Sequence, residues 1–140
     1  ENWMMNKPGF EVRLEMDFNQ AVELVTAKLK DSGFGVLTKI DVKATLKKKL
    51  DEDFNDYVIL GACNPPLAFR ALSIDPKVGL MLPCNVTVES SGENQTVVRI
   101  LNPEFMLQTG DTDNKAELIS VATEARQLLE GVAVKLGSNN

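Results

Sequence analysis

Phe10-Glu11-Val12-Arg13-Leu14-Glu15-Met16 alternates apolar and polar residues without a break. A strand points successive side chains to opposite faces, so Phe10, Val12, Leu14 and Met16 share one side. Glu11, Arg13 and Glu15 share the other. One face is suited to burial and the other to water, the pattern of a sheet covered on a single side. The residues that follow supply the cover. Asp17 with Gln20 forms a capping box that opens a helix. Phe18, Val22, Val25 and Leu29 recur at helical spacing as its buried stripe, and Gly33 suits its C-terminal cap.

Further along, residues 34–40 read as a second strand. Asp41 caps a second helix, Val42–Leu50, with Val42, Leu46 and Leu50 directed inward. Lys43, Lys47, Lys48 and Lys49 point outward, and Asp51, Glu52 and Asp53 follow at once. Such a run is a solvated, locally neutralised surface rather than a phosphate site. Residues 57–62 are continuously apolar and predict a central strand buried on both faces. Asn64 caps a short helix with Pro65 at its first position, where the missing N–H is no loss. Leu67, Ala68, Ala71 and Leu72 make its apolar side, and Asp75-Pro76 ends it.

Residues 78–89 read as the longest strand, with Val78, Leu80, Leu82, Cys84, Val86 and Val88 of one parity and Asn85 of the other. Pro83 calls for an edge position or a bulge there. A turn at 90–94 returns the chain as a hairpin partner over 95–101. Asn102-Pro103 repeats the cap-then-proline signal before a short helix at 104–107. A polar loop at 109–114 leads to a last helix from about 115 to 130 or beyond. Its inward residues are Leu118, Val121, Ala125, Leu128 and Val132. A hairpin mixed with helical crossovers predicts an α+β two-layer sandwich. Its mostly antiparallel sheet of about five strands is covered on one face by helices. Residues 1–9 form a flexible lead-in and 10–140 a single domain.

With 140 residues, 44% of them hydrophobic, the chain can bury a core without disulfides or metals. Its formal net charge of −5 speaks against nucleic acid, which demands a basic footprint, and against anionic membrane surfaces. No run of apolar residues reaches the length of a membrane span. No signal peptide is visible, so a cytoplasmic location is expected, with the periplasm open if a leader has been removed. The chain has no histidine. That removes the commonest general base and metal ligand, and every Ser-His or Cys-His nucleophile. Gly33-Phe34-Gly35 leads into a strand and lacks the third glycine of a phosphate loop. Asp41, Asp75 and Glu104 occupy cap or first-turn positions, where carboxylates are structural. Arg70 and Arg99 can anchor an anion or a surface ion pair. No catalytic residue is assigned, and no cofactor is required.

What stands out chemically is a doubled Cys-Asn step, Cys63-Asn64 and Cys84-Asn85, which holds both cysteines of the chain. Four readings fit it. The thiols are small buried hydrophobes with the asparagines capping backbone. Alternatively, Cys63, Asn64, Cys84 and Asn85, with Arg70 nearby, line a pocket for a small ligand or a soft metal. Met81 can then add a thioether, or a dimer can pool four cysteines. In the third reading the pair is redox-active, with Cys63 just before a helix N-terminus that lowers its pKa. The fourth is a structural disulfide, which needs Cα atoms within about 7 Å.

Much of the chain resembles the bacterial and archaeal DUF302 family, a domain of unknown function. The resemblance rests on Gly33-Phe34-Gly35-Val36-Leu37-Thr38-Lys39-Ile40-Asp41-Val42, on Ala44-Thr45-Leu46-Lys47 and on Ile59-Leu60-Gly61-Ala62-Cys63-Asn64-Pro65-Pro66-Leu67-Ala68. It continues through Arg70-Ala71-Leu72, Gly79-Leu80-Met81-Leu82-Pro83-Cys84-Asn85-Val86 and Asn102-Pro103. The resemblance implies a compact fold and a homodimer, and it brings no established activity. Phe69 stands where the family commonly has Tyr or His. The combined expectation is a non-enzymatic small-ligand or metal binding module. A thiol redox protein using Cys63 and Cys84 is one alternative. A structural assembly module, with its outer sheet face as dimer surface, is the other.

Overall fold

Strands β1 (Gly9–Leu14), β2 (Gly35–Asp41), β3 (Tyr57–Cys63), β4 (Cys84–Gly92) and β5 (Gln95–Leu101) form one sheet in the order β1-β5-β4-β3-β2. Every neighbouring pair in this computed structural model, which describes residues 7–108 and 115–137, is antiparallel. Most of the expected lead-in and the polar loop at 109–114 lie outside the described residues. β1 and β2 therefore run in the same direction at opposite edges, and helix α1 (Phe18–Asp31) crosses between them. With α5 (Lys115–Gly137), α1 covers one face, giving the expected α+β sandwich.

The register explains which face is covered. Phe10 lies opposite Ile100 and Val12 opposite Val98, while Val88 faces Val58 and Val86 faces Leu60. These side chains share one parity and meet Val25 and Leu29 of α1 and Leu129 and Val132 of α5 in the main core. The other face is polar at its centre. Arg99 donates from Nε to Glu11 at 3.1 Å and from Nη1 to Glu89 at 2.6 Å. The Arg99 hydrogen bond holds the Glu89 carboxyl below the usual carboxylate range.

Local signals place the ends of α1. Asp17 accepts a hydrogen bond from the Gln20 N–H at 2.8 Å. Gly33, at φ +87, makes the left-handed exit that residues with a Cβ avoid. Helix α2 (Val42–Leu50) starts on its predicted cap, with Asp41 accepting from the Ala44 N–H at 2.9 Å.

Several sequence expectations are corrected. α2 buries nothing: Val42 and Leu46 are half-buried and Leu50 is 64% exposed. It follows directly from edge strand β2, beyond the reach of α1 and α5. β3 is buried through Val58, Leu60 and Ala62 but only half-buried at Tyr57 and Ile59, so one face is covered rather than two. No strand runs from Val78. Residues Pro76–Met81 instead coil into a 3-10 helix, opened by Asp75, which accepts from the Lys77 N–H at 3.0 Å. The Leu82–Pro83 peptide is cis, and β4 begins only at Cys84, so Pro83 needs neither edge nor bulge. In α5 the buried stripe passes through Leu129 rather than Leu128 and continues through Val132 to Leu136, the helix running on past Gly131.

Candidate functional site

Both cysteines sit at strand termini at the same end of the sheet. β3 ends at Cys63 and passes straight into Asn64, the cap of α3 (Pro65–Ile74). The Asn64 carbonyl accepts the Leu67 N–H at 3.2 Å, so the amide is committed to the helix start. β4 begins at Cys84, paired with Ala62, which places Cys63 one residue beyond that pair. Both thiols are unbridged. Cys63 is half-buried, whereas Cys84 is only 8% exposed. Burial, and secondarily the neighbouring Cys63, pushes the Cys84 thiol up to about 11, so it stays protonated at neutral pH.

Cys63, Asn64 and Cys84 line a common cavity of about 90 Å³. Its origin lies in the facing helices. α3 presents Ala68 and Ala71, and α5 presents Ala122 and Ala125, all of them lining residues. Four short side chains leave a gap that larger ones would fill, and close-packed interiors tolerate few such gaps. Val78 and Met81 of the 3-10 helix bound it on another side, and Leu118 and Val121 of α5 complete the apolar walls. Among the described residues, Asn64 is the one lining residue whose side chain carries nitrogen or oxygen. Among the described residues, no three Cys, Asp or Glu side chains gather to hold a metal ion. Among the described residues, the sulfur-bearing residues that line the cavity are Cys63, Met81 and Cys84.

The other two candidates stand apart. Arg70 leaves the Ala68–Ala71 side of α3 and pairs from Nη1 with Glu124 at 2.9 Å on the exposed surface. Asn85 is exposed on the uncovered face, because strand parity turns it away from Cys84. Neither lines the cavity.

Sequence reasoning missed a buried ionic cluster beside this site. Glu104 of α4 (Pro103–Gln108) is buried, and its Oε1 lies 2.5 Å from Nε of Arg126. Thr123 donates to its Oε2 at 2.7 Å. Arg126 also pairs with Glu130. Asn102, fully buried, accepts the Glu104 N–H at 3.1 Å and donates to the Lys7 carbonyl at 3.1 Å. The cluster ties α4 and the start of β1 to α5, next to Pro103 on the cavity wall. Its signal was the spacing Thr123, Arg126, Glu130 along the last helix, which has no visible partner until the chain folds.

Comparison with known proteins gives the following. The family model "Domain of unknown function DUF302" matches residues 10–136. A crystal structure of an uncharacterized conserved protein DUF302 from Bacillus stearothermophilus is similar at 28% identity and a TM-score of 0.81. That likeness covers 92% of this chain and 98% of the other. No curated protein matches. No helix among the described residues is long and apolar enough to cross a membrane.

Proposed function

The chain belongs to the DUF302 family, and from that premise we propose that it is a non-enzymatic binding module whose cavity between α3, α5 and the ends of β3 and β4 takes a small ligand. The observation that carries this reading is the meeting of Cys63, Asn64 and Cys84 on the wall of one cavity. Ligand pockets are mostly apolar concavities with a few placed polar groups, and this site fits that description. The net charge of −5 supports a small-molecule partner over nucleic acid. Two unbridged thiols suit a reducing compartment, which favours the cytoplasm over the periplasm.

The test is a thermal-shift panel of small aromatics, alkyl compounds and the soft cations Cu(I) and Cd(II). At one hundred times its Kd a ligand stabilises the fold by about 2.7 kcal/mol. At least one compound is expected to raise the melting temperature of the wild type but not of Ala122→Leu or Ala71→Leu, which fill the cavity from opposite walls. A panel without a single such compound contradicts the reading.

The module is further proposed to be a homodimer. The support is the edge of β2, unpaired among the described residues, where Leu37 is 69% and Ile40 49% exposed, together with the exposed Leu50 and Phe54. An unpaired edge strand is a ready template for another strand. Light scattering should return twice the chain mass; a monomeric mass at tens of micromolar, about the range where weak dimers form, counts against it. A purely structural assembly module, paired through the outer sheet face, would have no use for the cavity, and the ligand panel separates the two.

A thiol redox role is the second reading, favoured by Cys63 standing just before the N-terminus of α3. The protonated, buried Cys84 makes a poor partner. Both thiols would have to alkylate fast at neutral pH for the redox reading to hold.

A further inference from the structure

Resting on the binding reading, we infer that the cavity's occupant is an uncharged apolar molecule of about four to six non-hydrogen atoms, a small aromatic or short alkyl compound, rather than an anion or a soft cation.

Charge excludes the anion. Among the described residues, no lysine, arginine, aspartate or glutamate lines the cavity. The neighbouring cations are engaged elsewhere, Arg70 by Glu124 and Arg126 by Glu104 and Glu130. An anion entering would lose its hydration without gaining a charged partner among the described residues, which an apolar site penalises. The single amide on the wall is held in place, its side-chain oxygen accepting the Leu67 N–H. Its Nδ2 lies over Gly33, so close that a Cβ there would come within 3.0 Å.

The sulfurs do not favour a cation. Ligation requires both thiols to give up their protons to solvent. A monovalent ion held by two thiolates then leaves a net negative charge between alanine, valine and leucine walls. A divalent ion would be neutral there, but zinc-like ions want four protein ligands and the wall offers three sulfurs. As neutral groups the same sulfurs are good apolar contacts, since thiols and thioethers pack well against aromatic rings.

Size sets the rest. An engineered apolar cavity of about 150 Å³ stays dry and takes benzene or xenon. The present cavity, about 90 Å³, is somewhat smaller. Part of its wall is half-buried, at Cys63, Ala68, Met81 and Leu82, so an occupant can reach out through that rim. Met81, long and flexible, can swing to admit it.

Three probes decide the matter on the intact protein: benzene, its anionic relative benzoate, and Cu(I) competed against a chelator. Methyl NMR of Val78, Leu118 and Val121 reports occupancy. Benzene is expected to give saturable shifts at these methyls, benzoate to bind at least about tenfold more weakly, and Cu(I) to form no stoichiometric complex. Ala122→Leu and Ala71→Leu should each weaken benzene by about tenfold or more; two variants guard against one that fails to fold. A stoichiometric Cu(I) complex, lost in Cys63→Ser and in Cys84→Ser, overturns the inferred class while leaving the site itself standing. Benzoate binding as tightly as benzene does the same. Silence from all three probes overturns the inference, and the wider panel of compounds then decides the binding reading separately.

Discussion

Replacing Glu104 by alanine is expected to destabilise the fold by about 3 kcal/mol or more, because it strands a largely buried arginine. The Glu104 side chain is 8% exposed and Arg126 only 19%. Removing one partner of a buried pair leaves the other charge uncompensated, and the penalty exceeds what the pair contributes when intact. The Thr123 hydroxyl would lose its acceptor as well. Glu130 keeps one contact to Arg126, which sets the expectation at the lower end of the range for buried pairs. Glu104→Gln preserves shape and an acceptor for Thr123, so its loss should be about half as large. Urea unfolding reads both, as a lower midpoint at unchanged slope. A loss below about 1 kcal/mol for the alanine variant would mean that Arg126 reaches solvent and that the cluster is a surface feature.

The second large effect separates two adjacent leucines. Leu129→Ala should destabilise by about 3 kcal/mol and Leu128→Ala by about 1. Leu129 is fully buried among the sheet and α1 residues of the main core, and truncation leaves a void there. Leu128 is only partly buried, packing between that core and the smaller cluster of Leu67, Val121 and Ala125. The same denaturation curves check this, and an equal loss at the two positions would contradict the packing described here.

That pair of leucines also shows where sequence reading stops. Periodicity along α5 identified Leu118, Val121, Ala125 and Val132 correctly. Between Ala125 and Val132 it named Leu128, although Leu129 also lies within the width of an apolar stripe. The choice depends on how α5 crosses the sheet, which no local pattern carries. Caps were legible because their chemistry is local. Asp17, Asp41 and Asn64 each accept the backbone N–H three residues on. The apparent strand at 78–82 had matching parity but lay between Pro76 and Pro83, and the Asp75 cap turned it into a 3-10 helix. Parity alone cannot rank those competing signals. At the site, the sequence marked Cys63, Asn64 and Cys84, and all three line the cavity. It grouped Arg70 and Asn85 with them by proximity along the chain, and helix and strand geometry sends both elsewhere. The alanines that create the space gave no signal, because a small residue reads as helix propensity until its neighbour across the gap is known.

The thiol-lined gap between α3 and α5 is proposed above as an apolar binding site. A crystal of the protein pressurised with xenon tests it most directly. The account predicts one ordered xenon site bounded by Cys84, Val78, Ala71 and Ala122 in the wild type. The peak should vanish in Ala122→Leu. A cavity that stays empty under pressure, or one filled by ordered water bonded to Asn64 and the thiols, would contradict it.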